Sequence, residues 1–79
     1  MPTYYVSLSI SRPPELADAP LIRLLHDAAE QAACVPIEVT PRGLIVDAEP
    51  TSVSMLEAAM RAALAPRGAE LTRITITEI

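Results

Sequence analysis

Lysine, phenylalanine and tryptophan are absent from this chain, and cysteine and histidine occur once each. Each shortage excludes something. The single cysteine, Cys34, cannot close an intrachain disulfide and leaves no two-cysteine metal or redox motif. Such usage reads as a reducing compartment, and the cytoplasm is the expected location. The single histidine, His26, argues against a zinc cluster, so no metal is expected. Only two aromatic rings are present, Tyr4 and Tyr5, and the formal net charge is −4. With no basic stripe and no stacking platform, nucleic acid is not an expected partner. The two glycines are too few for a phosphate-cradling loop and read as turn residues. No apolar run approaches the roughly 18 residues of a membrane helix, and no signal peptide is visible, so no membrane partner is expected.

What remains is aliphatic and alanine-rich. Residues 1–79 make one domain. A chain this short buries only about 60% of the surface its unfolded form exposes, so a lone monomer is marginal. With disulfides and metal set aside, homo-oligomerisation is the expected support.

Hydrophobic periodicity gives the order βαββαβ. From Thr3 to Ser11 the residues alternate strictly, with Tyr4, Val6, Leu8 and Ile10 on one face and Tyr5, Ser7 and Ser9 on the other, the period of a half-buried strand. Pro13 and Pro14 end it. Asp18 reads as the N-cap of a first helix, with Pro20 tolerated in its first turn. Leu21, Leu25, Ala28, Ala29 and Ala32 form that helix's apolar stripe. Pro36 disfavours a helical Val35, which places the end near Ala33 or Cys34. Val35, Ile37 and Val39 are the expected inner face of a second strand. Thr40-Pro41-Arg42-Gly43 reads as a type I turn in a hairpin of more than two residues, leading into a third strand over Leu44 to Ala48. A second helix begins after Pro50, with Ser54-Met55-Leu56-Glu57 as a capping box. Its buried stripe is Leu56, Met60 and Ala63, with Met55 a further core gap-filler. A last strand over Leu71 to Glu78 turns Ile74 and Ile76 to the core.

The expected fold is therefore α+β, a four-stranded sheet with two helices on one face. Two topologies fit. One keeps each parallel strand pair side by side. The other is the ferredoxin-like split βαβ, with the two units interleaved. The opposite face of the sheet carries Tyr5, Ser7, Ile45 and Thr75, with Thr40, Arg73 and Thr77. It is polar but nearly uncharged, and we read it as the face that packs against another subunit.

Pro2 is the first residue with chemical promise. Once the initiator methionine is removed, an N-terminal proline is a secondary amine. An α-amino group titrates at about 7.7–8.0, and burial or nearby arginines lower that value. Such a group serves as a general base at neutral pH. By contrast, His26, Asp27 and Glu30 read as a solvated helix face, and Cys34 as an inert thiol.

The opening Met1-Pro2-Thr3-Tyr4-Tyr5-Val6 resembles the tautomerase superfamily, which includes 4-oxalocrotonate tautomerase and 5-carboxymethyl-2-hydroxymuconate isomerase. Arg12 follows Pro2 at the spacing of a carboxylate-binding arginine in the first of these. Leu16-Ala17-Asp18-Ala19-Pro20 and Val35-Pro36-Ile37 look like the muconate isomerase pattern, which next places an arginine about where Arg42 stands. The closing Arg73-Ile74-Thr75-Ile76-Thr77-Glu78-Ile79 also looks like a tautomerase strand. The resemblance implies the side-by-side topology and a cofactor-free isomerase assembled as a trimer or hexamer. Pro2 would be the general base on a 2-hydroxymuconate-like or 2-oxo acid. Arg12 would grip a carboxylate, and Arg42 or Arg73 would stabilise the dienolate oxygen. The alternative is a non-catalytic ferredoxin-like module with a binding, regulatory or assembly role, oligomeric through its sheet face.

Overall fold

The computed structural model describes residues 1–79. The strands are β1 (Thr3–Ser11), β2 (Val35–Thr40), β3 (Gly43–Asp47) and β4 (Glu70–Glu78), and the helices are α1 (Asp18–Gln31), the single turn α2 (Pro50–Val53) and α3 (Leu56–Leu64). The chain is α+β, with one four-stranded sheet in the order β2-β3-β1-β4 and every neighbouring pair antiparallel. This is the interleaved, ferredoxin-like arrangement. The side-by-side, tautomerase-like order does not form, because β3 lies between β1 and β2, and β1 lies between β3 and β4. The short hairpin fixes one edge of β3 to β2, and β1 takes its other edge.

The core lies between the sheet and the helices. Val6, Leu44 and Val46 from the sheet meet Leu21, Leu25 and Ala29 of α1 and Leu56, Met60 and Leu64 of α3, all essentially inaccessible to water. No side-chain polar group is buried without a partner. Arg61 ties α3 to the last strand, donating from Nη1 to the Leu71 carbonyl oxygen at 2.7 Å and from Nε to Glu57 at 3.0 Å.

Two bulges break the simple alternation. In β2 the register shifts between Pro36, opposite Val46, and Glu38, opposite Ile45. Ile37 is the extra residue, so Pro36 and Val39 turn toward the helices. Val35 and Ile37, expected inside, are instead 53% and 58% exposed. β2 is an edge strand, the one setting in which Pro36 can lack a ladder donor without cost. In β4 the shift falls opposite Ser9 and Ile10, and the extra residue Thr72 donates its hydroxyl to the Ser9 carbonyl oxygen at 3.0 Å.

The helix ends depart from their sequence signals. Ala17, not Asp18, is the N-cap of α1, and no side chain caps it. The expected capping box is also absent. Met55 stands at the N-cap of α3 without a side-chain bond, Ser54 donates back to the Thr51 carbonyl oxygen at 2.7 Å, and Met55 is 62% exposed. The break at Ser54 lets α2 close its own turn before α3 begins. At the other end of α1, Ala33 adopts φ 60°. The Cys34 N–H reaches the Ala29 carbonyl and the Ala33 N–H reaches that of Glu30, which is a Schellman motif with alanine in the left-handed position. Gly68, at φ 70°, closes the corresponding motif after α3 through Ala69 N–H to Leu64 and Gly68 N–H to Ala65.

The β2–β3 loop is shorter than expected. Thr40 and Gly43 pair directly, leaving Pro41 and Arg42 as a two-residue loop. Neither has positive φ, so the usual two-residue hairpin turns are excluded. The Thr40 hydroxyl braces the loop, accepting from the Arg42 N–H and donating to the Gly43 carbonyl oxygen. Gly43 is required by proximity. A Cβ there would stand 2.5 Å from the Val6 carbonyl oxygen.

Candidate functional site

β1 outruns β3. The β1–β3 ladder stops at Ser7 opposite Gly43, while β1 continues against β4 as far as Ser11. The Leu8 N–H still finds a partner, the Arg42 carbonyl oxygen at 2.8 Å. By strand alternation Ile10 faces the same side as Leu8, and no strand lies opposite it there. The result is a notch between the last turn of β1, the hairpin loop and the start of α1. Its cavity of about 320 Å³ is lined by Leu8, Ser9, Ile10, Arg12, Leu21, Pro41 and Arg42.

Two of the arginines expected at a site therefore share one cleft. Arg12 is a half-buried wall residue. It donates from Nη1 to the Leu16 carbonyl oxygen at 3.0 Å and pairs through Nη2 with the carboxylate of Asp18. Asp18 is thus engaged by Arg12 rather than by the helix N-terminus. Arg42 is exposed at the loop tip and makes no ion pair within the chain. With Arg12 paired to Asp18, Arg42 is the uncompensated positive charge of this cleft, in a chain of net charge −4 and beside apolar walls from Leu8, Leu21 and Pro41. Planar guanidinium groups suit bidentate carboxylate binding.

Arg73 is not part of the cleft. It stands opposite Ser9 on the outer face of β4, exposed. Pro2 is farther away. It precedes β1 while Arg12 follows it, and the nine residues between them place the two about 30 Å apart at a strand's rise per residue. The Pro2 carbonyl accepts from the Ala48 N–H at 3.0 Å. A single chain brings Arg12 and Arg42 together and keeps Pro2 and Arg73 apart from them.

The outer sheet face is as expected in its membership. Tyr5 pairs with Ile45 and Thr77, and Ser7 pairs with Thr75 and Gly43. Tyr5 is 44% exposed, and a depression of about 240 Å³ lies among Tyr5, Ile45, Glu38 and Thr40, where Gly43 offers no side chain. The bulge in β2 adds the exposed Val35 and Ile37 to this region, an apolar contribution that simple alternation conceals.

On α1, His26, Asp27 and Glu30 bring three potential ligand atoms within 4.8 Å of one another. They belong to one solvated helix face, and His26 Nδ1 lies 3.6 Å from Asp27 and 3.5 Å from Glu30. The hollow of about 440 Å³ beside them is formed by α1 alone, so no second element converges on it. Cys34 is 3% exposed, and burial raises its thiol pKa above the usual value, the state of an unreactive thiol.

Compared with known proteins, the chain matches no family model, no curated protein and no solved structure.

Proposed function

We propose that this chain is a non-catalytic ferredoxin-like module that binds a small carboxylate in the notch formed by Arg12 and Arg42. The observation that carries this reading is the meeting of those two arginines at an unpaired stretch of β1, beside the apolar walls of Leu21 and Pro41. A carboxylate would bridge the guanidinium groups, with the backbone N–H of Ile10 as a further donor and Leu21 and Pro41 covering its carbon skeleton. Asp18 competes for Arg12, so the ligand would replace one carboxylate with another at that position. Such a site reports the presence of an acid; it does not transform one. The outer face, with Tyr5, Ser7, Ile45 and Thr75, is the surface through which a regulatory or assembly module of this kind would contact another subunit.

Isothermal titration with acetate, succinate and 2-oxoglutarate tests the binding. We expect saturable, salt-sensitive binding of at least one acid that weakens tenfold or more in Arg42→Ala, about what losing a charge-assisted hydrogen bond costs. Asp18→Asn should tighten it. Equal heats from the parent protein and Arg42→Ala would contradict the reading.

A tautomerase remains the second reading, favoured by the same pairing of Arg12 with Arg42. It requires an assembly in which Pro2 of another copy reaches the notch. Protein shown by intact mass to begin at Pro2 should then ketonise 2-hydroxymuconate or phenylenolpyruvate, and Pro2→Ala should abolish that activity. Processed protein with no activity above the variant removes this reading.

A further inference from the structure

The sheet has two edges, and they are not alike. The β2 edge is blunted: Pro36 has no N–H to offer, and the bulge at Ile37 distorts the strand. Both are devices that keep an edge from pairing. The β4 edge has no proline, and its bulge at Thr72 lies near one end. The Ile79 N–H points inward to the Thr3 carbonyl oxygen at 2.9 Å. By alternation Thr77 and Thr75 also turn their backbone groups toward β1, and Ile74, Ile76 and Glu78 turn theirs outward. The side chains of Ile74 and Ile76 lie on the helix side of the sheet, where they reach the core but stay only partly buried. This edge therefore lacks two things at once, backbone partners and cover for two isoleucines.

We propose that two copies of this chain join edge to edge through β4, antiparallel about a two-fold axis at Thr75, so that their sheets become one. In that register Ile74 of each copy exchanges backbone hydrogen bonds with Ile76 of the other, and the isoleucines complete each other's burial. The two Thr75 side chains face each other across the axis on the outer surface, and Arg73 stands opposite Thr77. No like charges oppose one another. Moving the axis to Ile74 brings the bulge at Thr72 into the paired stretch, and moving it to Ile76 sets Ile74 against Glu78. A second copy is the occupant that fits because an antiparallel edge is complementary to itself under two-fold symmetry. The proposal is independent of the arginine notch, which opens on the opposite side of β1.

Directed cross-linking tests the register. Facing residues in the non-hydrogen-bonded position have Cα atoms about 4.5 Å apart, within disulfide reach. Thr75→Cys should form a disulfide-linked dimer, twice the 8.5 kDa chain, when treated with oxidised glutathione. Thr77→Cys should not, because its own counterpart lies four residues along the paired strand. Cys34 is buried and does not compete. In sedimentation equilibrium the parent protein should be dimeric at 100 µM by choice of concentration, roughly the range where modest interfaces populate. Thr75→Lys should be monomeric with an unchanged circular dichroism spectrum, since the residue is exposed and faces away from the core. A parent protein that is monomeric at that concentration overturns the proposal. So does cross-linking of Thr77→Cys equal to that of Thr75→Cys, because edge pairing in this register sets Thr77 opposite Arg73 and keeps the two Thr77 residues apart.

Discussion

Pro2 and Arg12 occupy opposite ends of β1, held apart by the nine residues of the strand. An extended strand is the least compressible separation a chain can impose, at about 3.3 Å per residue. Whatever binds at Arg12 is therefore insensitive to Pro2 of the same chain. Pro2→Ala should leave carboxylate affinity within twofold of the parent, measured by titration calorimetry. A tenfold loss would show that another copy's N-terminus lines the notch.

Ala33 and Gly68 perform the same task with different residues. Both are left-handed, at φ 60° and 70°, and both close Schellman motifs. Alanine pays a steric cost in this conformation that glycine does not. Ala33→Gly should therefore stabilise the protein by roughly 0.5–1 kcal/mol, and Gly68→Ala should destabilise it by a similar amount. Urea denaturation of the two variants, compared by midpoint, checks the opposite signs.

Gly43 is a different matter, since its φ is ordinary and the constraint is contact. With the Val6 carbonyl oxygen 2.5 Å from any Cβ, Gly43→Ala must push β3 away from β1. We expect a loss of about 1–3 kcal/mol, the range for overpacking. The same shift should move the Arg42 carbonyl off the Leu8 N–H. Hydrogen exchange at Leu8 should accelerate more than at Leu25 in the middle of α1.

Cys34 supplies a pH dependence. Burial raises its pKa above the usual thiol value, which the unfolded thiol keeps. The folded state thus holds the proton more firmly, and its contribution is complete below the unfolded pKa. As pH rises through the usual thiol range toward the folded value, the unfolded state ionises first and stability falls. The Cys34→Ala variant should lose this component of the slope. Thermal melts from pH 8 to 10.5, chosen to bracket the usual thiol range, measure it.

β1 and α1 were legible in the sequence because each obeys one period over its whole length. Tyr4, Val6 and Leu8 are buried as alternation requires, and so are Leu21, Leu25 and Ala29 at helical spacing. β2 was not legible in the same way. A bulge inserts one residue that periodicity cannot see, and it turned Val35 and Ile37 outward; Pro36 in an edge strand was the available sign. The capping signals misled because Asp18 and Ser54 each had another partner nearby, Arg12 for one and the Thr51 carbonyl for the other. At the site, Arg12 and Arg42 were both expected, but their meeting depends on where β3 begins relative to β1. That offset is a property of the hairpin loop and strand register, and no local pattern encodes it. The same register leaves Arg73 outside the notch, on the outer face.

The most direct test of the carboxylate site is an amide NMR titration of the parent protein and Arg42→Ala with succinate, a dicarboxylate able to bridge the two guanidinium groups. Binding in the notch predicts saturable shifts concentrated at Ser9, Ile10, Arg12 and Arg42, absent at Arg23, Arg61 and Arg67, and lost in Arg42→Ala. Shifts spread evenly over all the arginines, or unchanged in the variant, would contradict it.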